Sequence, residues 1–274
     1  MDIESLQNTL SGLPIASIRY FDQISSTNDE AARWLAEGAP DLALVVADEQ
    51  TAGRGRLRRI WYTPPGSALA FSLVLKQLTP EYFESGASPG LYQSLSRLTG
   101  LGALAVCQAL RQNYQLPALI KWPNDVLIER RKVAGVLVEV HWQGDHLEGV
   151  VLGIGVNVKS SAVLQIPELT TPATWVEAAL GKPVDRLALL RTILDHLLAW
   201  RGKLNTPEFL QFWEQWLAFR GEWVQLAEEE GGTTRFPEDV LLLGLNPDGS
   251  LRVHDHHGRV YSLRSEEVRL EIRA

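Results

Sequence analysis

A single cysteine, Cys107, is the whole thiol inventory of the 274 residues, so an internal disulfide and a cysteine-rich zinc cluster are both excluded. It lies in the apolar stretch Leu101 to Leu110, where a small buried core residue is the expected role. Long apolar runs are missing too. Nothing approaches the length of a membrane span, and Met1 to Leu10 carries Asp2 and Glu4 where a secretory leader has basic and then apolar residues. A cytoplasmic protein is expected. Positive charge is in deficit: 26 Lys and Arg against 33 Asp and Glu give a net charge of -7, which argues against binding polyanions with the whole surface. A local basic patch can still hold phosphate. Internal repeats and low-complexity tracts are absent. What is present is a globular composition, 45% hydrophobic and 22% charged. A chain of this length buries about 70–75% of its unfolded surface, enough for one large domain or a large and a small one.

Hydrophobic patterning outlines an α+β organisation. Thr27 with Glu30 three residues on has the form of a capping box, so a helix is predicted to start there with Ser26 to Asn28 at its N-terminus. Leu42 to Ala47 and Ala68 to Leu75 read as buried strands, leaving Thr51 to Ser67 as a long loop. Leu91 to Tyr114 is an amphipathic helix pattern, followed by a short strand at Leu119 to Trp122. Val133 to Trp142 and Leu147 to Val158 flank Gln143-Gly144-Asp145 as a β-hairpin. A mixed sheet with packed helices follows. After helices at Leu187 to Trp200 and Pro207 to Phe219 the pattern changes to five short strands: Trp223 to Leu226, Asp239 to Leu245, Leu251 to His254, Val260 to Leu263 and Val268 to Ile272. Closure into a small β-barrel hides such edges, so a boundary is expected between residues 1–219 and 220–274.

Chemistry-bearing residues concentrate in three places. The predicted loop carries Gly53-Arg54-Gly55-Arg56-Leu57-Arg58-Arg59-Ile60-Trp61. Glycines let backbone approach a ligand, and guanidinium groups offer forked donors to carboxylate and phosphate oxygens. A solvated basic turn is the plain alternative. Lys121-Trp122-Pro123-Asn124-Asp125 follows a short strand, and the proline turns the backbone so that Asn124 and Asp125 are presented at a strand end. An ordinary turn is again the alternative. Lys132 opens the next strand, either as a rim residue or buried with a partner. Gly153-Ile154-Gly155-Val156-Asn157 is a weak signal, since a G-x-G in a strand marks a bulge as readily as a ligand contact.

In this order the segments resemble the biotin–protein ligase family, whose pattern is Ser-Thr-Asn, Gln-x-x-Gly-Arg-Gly-Arg with a later Arg and Trp, Lys-Trp-Pro-Asn-Asp, Lys-x-Ala-Gly and Gly-x-Asn. The counterparts here are Ser26-Thr27-Asn28, Gln50 with Gly53 to Arg56, Arg59 and Trp61, Lys121 to Asp125, Lys132 with Ala134-Gly135, and Gly155 with Asn157. Arg58 stands where the family commonly has Gly. The resemblance implies a catalytic sheet similar to class II aminoacyl-tRNA synthetase domains and a C-terminal SH3-like barrel. It implies biotinyl-5′-adenylate formation from biotin and ATP with Mg²⁺, then transfer to a lysine of a biotin carboxyl carrier domain. Biotin contacts are expected from Ser26, Thr27, Asn28, Gln50, Arg54, Gly55, Arg56 and Lys132. Nucleotide contacts are expected from Arg56, Arg59, Trp61, Lys121, Asn124, Asp125, Lys132 and Asn157, with Lys132, Arg54 and Asp125 as the catalytic groups. Metal ligands are not assigned. About 20 residues before the first strand are too few for the winged helix of repressor-type members, so specific DNA binding is not expected. A homodimer is one assembly open to it. The rivals are a lipoate ligase or octanoyltransferase of the same fold, the latter needing a nucleophilic cysteine for which Cys107 is badly placed, and a nucleic-acid-binding regulator.

Overall fold

The computed structural model describes residues 1–76, 89–163, 172–228, 236–237, 239–264 and 268–271, without the side chains of 58, 89–94, 227–228 and 268–271. Its larger sheet has seven strands: β1 (Ser17–Ile24), β2 (Ala43–Gln50), β3 (Ala68–Leu75), β4 (Ala118–Lys121), β5 (Asp125–Ile128), β6 (Arg131–Gln143) and β7 (His146–Asn157). They lie in the order β1-β2-β3-β7-β6-β5-β4, with β1 parallel to β2 and every other pair antiparallel.

Period-two burial decides how helices cover this sheet. Ala43, Val45, Val74 and Val151 pack with Ala31, Trp34 and Leu35 of α2 (Thr27–Ala36) on one face. The alternate residues Leu44, Val46, Phe71 and Leu73 join the main core with α3 (Pro89–Gln108) and α5 (Arg186–Arg201) on the other. β3 is therefore buried at every position, which is why its sequence is an unbroken apolar run interrupted only by Ser72. The short α1 (Ile3–Thr9) adds Leu6 and Leu10 to the main core, and α4 (Val176–Leu180) adds Val176.

The helix start differs from expectation by one residue. Ser26, not Thr27, is the N-cap of α2, its Oγ accepting from Asp29 N at 3.4 Å, while the buried Glu30 carboxylate pairs with Arg33 and Arg19. α3 stops at Gln108 and loosens into a π turn at Ala109–Asn113, earlier than its apolar pattern suggests. β5 was hidden in sequence by its brevity and by the adjoining Pro123. The helix α6 (Pro207–Gln215) also ends early, because Trp216 to Ala218 pairs with the edge of β4: Ile120 N donates to Trp216 O at 2.7 Å and Ala218 N to Ile120 O at 2.8 Å. An otherwise open edge is thereby covered.

The five C-terminal strands are β8 (Trp223–Glu228), β9 (Asp239–Leu245), β10 (Leu251–His254), β11 (Val260–Leu263) and β12 (Val268–Glu271), in the antiparallel order β11-β10-β9-β8-β12. That order is the SH3-like one. Its β9–β10 turn docks on the larger sheet's layers. Arg97 of α3 is buried and donates to Leu204 O at 2.8 Å, Asn205 Oδ1 at 2.9 Å and Pro247 O at 2.6 Å. Ser96 Oγ and Trp122 Nε1 both donate to Gly249 O, at 2.9 and 3.1 Å. Gly249 has φ +80°, and a Cβ there would lie 2.9 Å from Ser96 Oγ, so both the turn and the close approach need glycine. No helix among the described residues is long and apolar enough to cross a membrane.

Losing the Arg97 guanidinium leaves three carbonyl oxygens without their charged donor. Arg97→Met is expected to lower unfolding stability by about 2–4 kcal/mol. Urea unfolding followed by tryptophan fluorescence checks this; a change under about 0.5 kcal/mol would show that the contact contributes little.

Candidate active site

Helix α2 aims its N-terminus at a cavity of about 260 Å³ on its own face of the larger sheet. Ser26, Thr27 and Asn28 are all buried there. Thr27 N donates to Gln50 Oε1 at 2.8 Å, and Gln50 Nε2 to Thr63 Oγ1 at 3.2 Å, so the end of β2 is tied to the helix start. Ser72, the one polar residue of β3, lies beneath: its Oγ is 2.8 Å from Thr27 Oγ1 and 2.6 Å from Asn28 Oδ1.

The glycines of the weak G-x-G signal have a steric reason. A Cβ on Gly153 would collide with the Asn28 amide, and one on Gly155 with the Trp61 indole. Gly155 is the register partner of Gly135, whose own Cβ would come 3.2 Å from Trp61. The indole thus lies flat over two adjacent strands stripped of side chains.

Residues 50–63 form a narrow loop rather than an open one. Bridges join Gln50 to Thr63 and Arg54 to Ile60, Trp61 N donates to Gly53 O at 2.8 Å, and Gly55 N to Arg59 O at 2.7 Å. At the tip the left-handed backbone falls on Leu57, φ 56°, so position 58 does not itself need the glycine common in the family. Leu57 and Ile60 are exposed at the rim. Arg56 Nη1 reaches Asn124 Oδ1 at 3.3 Å and joins the loop to the β4–β5 turn. Arg54 is engaged differently: its guanidinium pairs with Glu139 at 2.8 Å and Asp29 at 2.6 Å.

At the opposite end, Lys132 Nζ pairs with Asp125 Oδ1 at 2.6 Å and lies 5.4 Å from the Trp61 ring centroid. The sequence left open whether this lysine was rim or buried; it is partly buried and has a partner. Asp125 opens β5, and Asn124 Nδ2 donates to Val136 O at 3.2 Å, so the turn is braced against β6. Lys121 and Asn157 are buried, the latter donating to Thr174 O at 3.1 Å.

The structure brings every residue expected to contact biotin or the nucleotide to the wall of this one cavity: Ser26, Thr27, Asn28 and Gln50 at one end, Lys121, Asn124, Asp125, Lys132 and Asn157 at the other. Arg54, Gly55, Arg56, Arg59 and Trp61 come over from the loop. Leu137 and the Trp61 indole supply apolar surface between the ends. Sequence reasoning missed Ser72, Asp29 and Glu139, the partners behind the wall. For Glu139 a signal existed, since period two along β6 puts it on the face of Gly135 and Leu137. Cys107 is not among the lining residues; it is fully buried on the α3 side, its Sγ 3.3 Å from Ala118 O, and burial pushes its thiol up to about 12.

Residues 20–157 match the model of the biotin/lipoate A/B protein ligase family. The biotin--[acetyl-CoA-carboxylase] ligase of Paracoccus denitrificans is 36% identical over 237 residues, covering 85% of this chain and 92% of that protein. The bifunctional ligase/repressor BirA of Bacillus subtilis is 37% identical over 175 residues, 64% of this chain; the chain spans 50% of that longer relative. Among solved structures, the biotin protein ligase of Aquifex aeolicus in complex with biotin and ATP superposes with a TM-score of 0.73 at 29% identity, covering 93% of this chain and 99% of that one. The matched segment contains both ends of the cavity and the loop over it, and on this extent of similarity the chain belongs to the biotin/lipoate A/B protein ligase family.

Proposed function

We propose that the chain is a biotin–protein ligase that adenylates biotin with ATP and transfers it to a lysine of a biotin carboxyl carrier domain, residues 1–219 forming the catalytic unit. The observation that carries this reading is the polarity of the cavity. One end offers uncharged hydrogen-bonding groups, Ser26, Thr27 and Gln50; the other offers cations, Lys121, Lys132 and Arg56; Trp61 and Leu137 lie between. Such a slot suits a compact ring with a ureido head and an anionic tail pointing at phosphate.

In the first half-reaction a carboxylate oxygen of biotin attacks the α-phosphorus of ATP, the bond to the bridging oxygen breaks, and pyrophosphate leaves with its electron pair. Negative charge builds on phosphate oxygens, so fixed cations act by stabilising that charge. Lys132, held in place by Asp125, is the cation at the reacting phosphate, whereas Arg56, held by Asn124, belongs to the loop that retains the finished adenylate. Arg54, committed to two carboxylates, takes the role of fastening the loop, not of a phosphate donor. In the second half-reaction the acceptor amine attacks the carbonyl of the mixed anhydride and AMP departs. Until then the loop shields the anhydride from water.

A resident metal does not fit the protein groups. Among the described residues no cluster of three His, Cys, Asp or Glu side chains is placed to hold one, and Asp125, the single carboxylate on the cavity wall, is already paired with Lys132. Mg²⁺ would arrive bound to the ATP phosphates and help neutralise their charge.

With biotin, the protein is expected to release pyrophosphate from ATP, whereas lipoate or octanoate supports little; the reverse preference would overturn the substrate assignment. An octanoyltransferase route through Cys107 is disfavoured by its burial. Cys107 should resist a thiol-selective disulfide reagent in the native protein and react in denaturant, and Cys107→Ala should retain ligation; inactivation by that substitution in a folded protein would revive the transferase. The two basic elements should fail differently. Lys132→Ala is expected to slow single-turnover adenylation by about 10²–10³-fold, the scale for deleting one transition-state donor. Arg56→Gly should still form adenylate but lose it faster, labelling lysines of unrelated proteins. Adenylate formation and dissociation measured in both variants test this: wild-type formation in the first, or wild-type retention in the second, would refute the division.

A further inference from the structure

Behind the uncharged end of the cavity, Glu139 of β6 is not itself on the wall, yet its carboxylate accepts from Asn28 Nδ2 at 2.7 Å while pairing with Arg54. A carboxylate only accepts, so it must face the NH₂ of Asn28, and the amide orientation follows. Asn28 Oδ1 is then turned to Ser72 Oγ, 2.6 Å away. That oxygen cannot donate, so the single proton of Ser72 goes to it.

The next contact inherits this direction. Thr27 Oγ1 has two protein neighbours, Ser72 Oγ at 2.8 Å and Gln50 Oε1 at 3.1 Å. Ser72 has already given its proton away. The Gln50 oxygen is fixed as an acceptor by the backbone N–H of Thr27. Two hydroxyl oxygens 2.8 Å apart need a proton between them, so Thr27 gives its own to Ser72 and shows the cavity lone pairs alone.

We propose that Glu139 is a positioning residue that sets the donor–acceptor polarity of the ligand's head-group subsite, through Asn28 and Ser72, so that Thr27 accepts a hydrogen bond from an N–H of the ligand. The inference rests on the reading that biotin, with its ureido N–H groups, occupies this end. It extends that reading to specificity. A head group without N–H, such as a dithiolane or an alkyl chain, would bury the Thr27 lone pairs without a donor, and a site built around a hydrogen bond rejects such analogues strongly. Gly153 belongs to the same device, because any side chain there would displace the Asn28 amide that carries the direction.

The test reverses and then restores the relay. In Glu139→Gln an amide NH₂ can face Asn28, which turns its own oxygen toward position 139 and its NH₂ toward Ser72. Ser72 is freed to donate to Thr27. The expected result is a rise of about tenfold in the Michaelis constant and dissociation constant for biotin, the scale of one hydrogen bond, with the ATP constant unchanged within about twofold. Asn28→Asp alone sets two carboxylates against each other and should weaken biotin binding similarly. Combined, the new amide at 139 donates to the new carboxylate at 28, whose other oxygen still accepts from Ser72, so the double variant should recover most of the affinity. Ser72→Ala, which cuts the relay in the middle, should reproduce the biotin-selective loss and add nothing to Glu139→Gln. Equal effects on biotin and ATP, an additive Ser72→Ala, or a double variant no better than the worse single one would overturn the wiring. A wild-type protein that does not turn over biotin would overturn the functional reading instead.

Discussion

Close backbone approach across β6 and β7 is the constraint on which the site depends. Gly135, Gly153 and Gly155 remove every Cβ from a patch of the sheet, and two side chains from elsewhere fill it: the Asn28 amide from α2 and the Trp61 indole from the loop. Neither could lie so close to a sheet of ordinary residues. With Asn28 down, the N-terminus of α2 points into the cavity and Thr27 can meet Gln50. With Trp61 down, the returning arm of the loop is anchored to the sheet beside the bridge between Gln50 and Thr63. The glycines thus convert a flat sheet face into a floor with a shaped wall on either side.

Charge is distributed to match. A chain with a net charge of -7 places Lys121, Lys132 and Arg56 around one end of a single cavity and keeps the opposite end neutral. The neutrality is itself constructed, because Arg54 reaches that end but is offset by Glu139 and Asp29. In the proposed reading an anionic ligand tail is drawn to one end by field, while the other selects by hydrogen-bond direction. Both effects are stronger where water is excluded.

Much of this was legible in the sequence. β3, the β6–β7 hairpin, α5 and the C-terminal strands follow directly from apolar periodicity, and the clustered motifs converge on one wall because each stands at an element's end. What was not legible has definite physical causes. The N-cap fell on Ser26 because Ser26 and Thr27 are equally good caps, and only the tertiary contacts of the Thr27 hydroxyl with Ser72 and Gln50 commit it elsewhere. α6 ended early because pairing with β4 outweighs another helical turn. Glu139 and Ser72 were invisible as site residues because they act through Asn28 and Thr27, and a sequence motif records contact residues better than the partners behind them.

The C-terminal sheet belongs mechanically to the site even though none of its described residues is on the cavity wall. Trp122 does line the cavity, one residue beyond Lys121, and its indole N–H is spent on Gly249 O in the β9–β10 turn. That turn is clamped by Arg97 and Ser96 from the helix layer on the opposite face of the larger sheet. Displacing the turn would leave a buried indole donor unpaired, so the position of the small sheet and the orientation of the cationic end are linked by one hydrogen bond with no slack between them. Strand order fits a linkage through this turn: β9 and β10 are both inner strands of the small sheet, and the turn joining them is the one held by Ser96, Arg97 and Trp122.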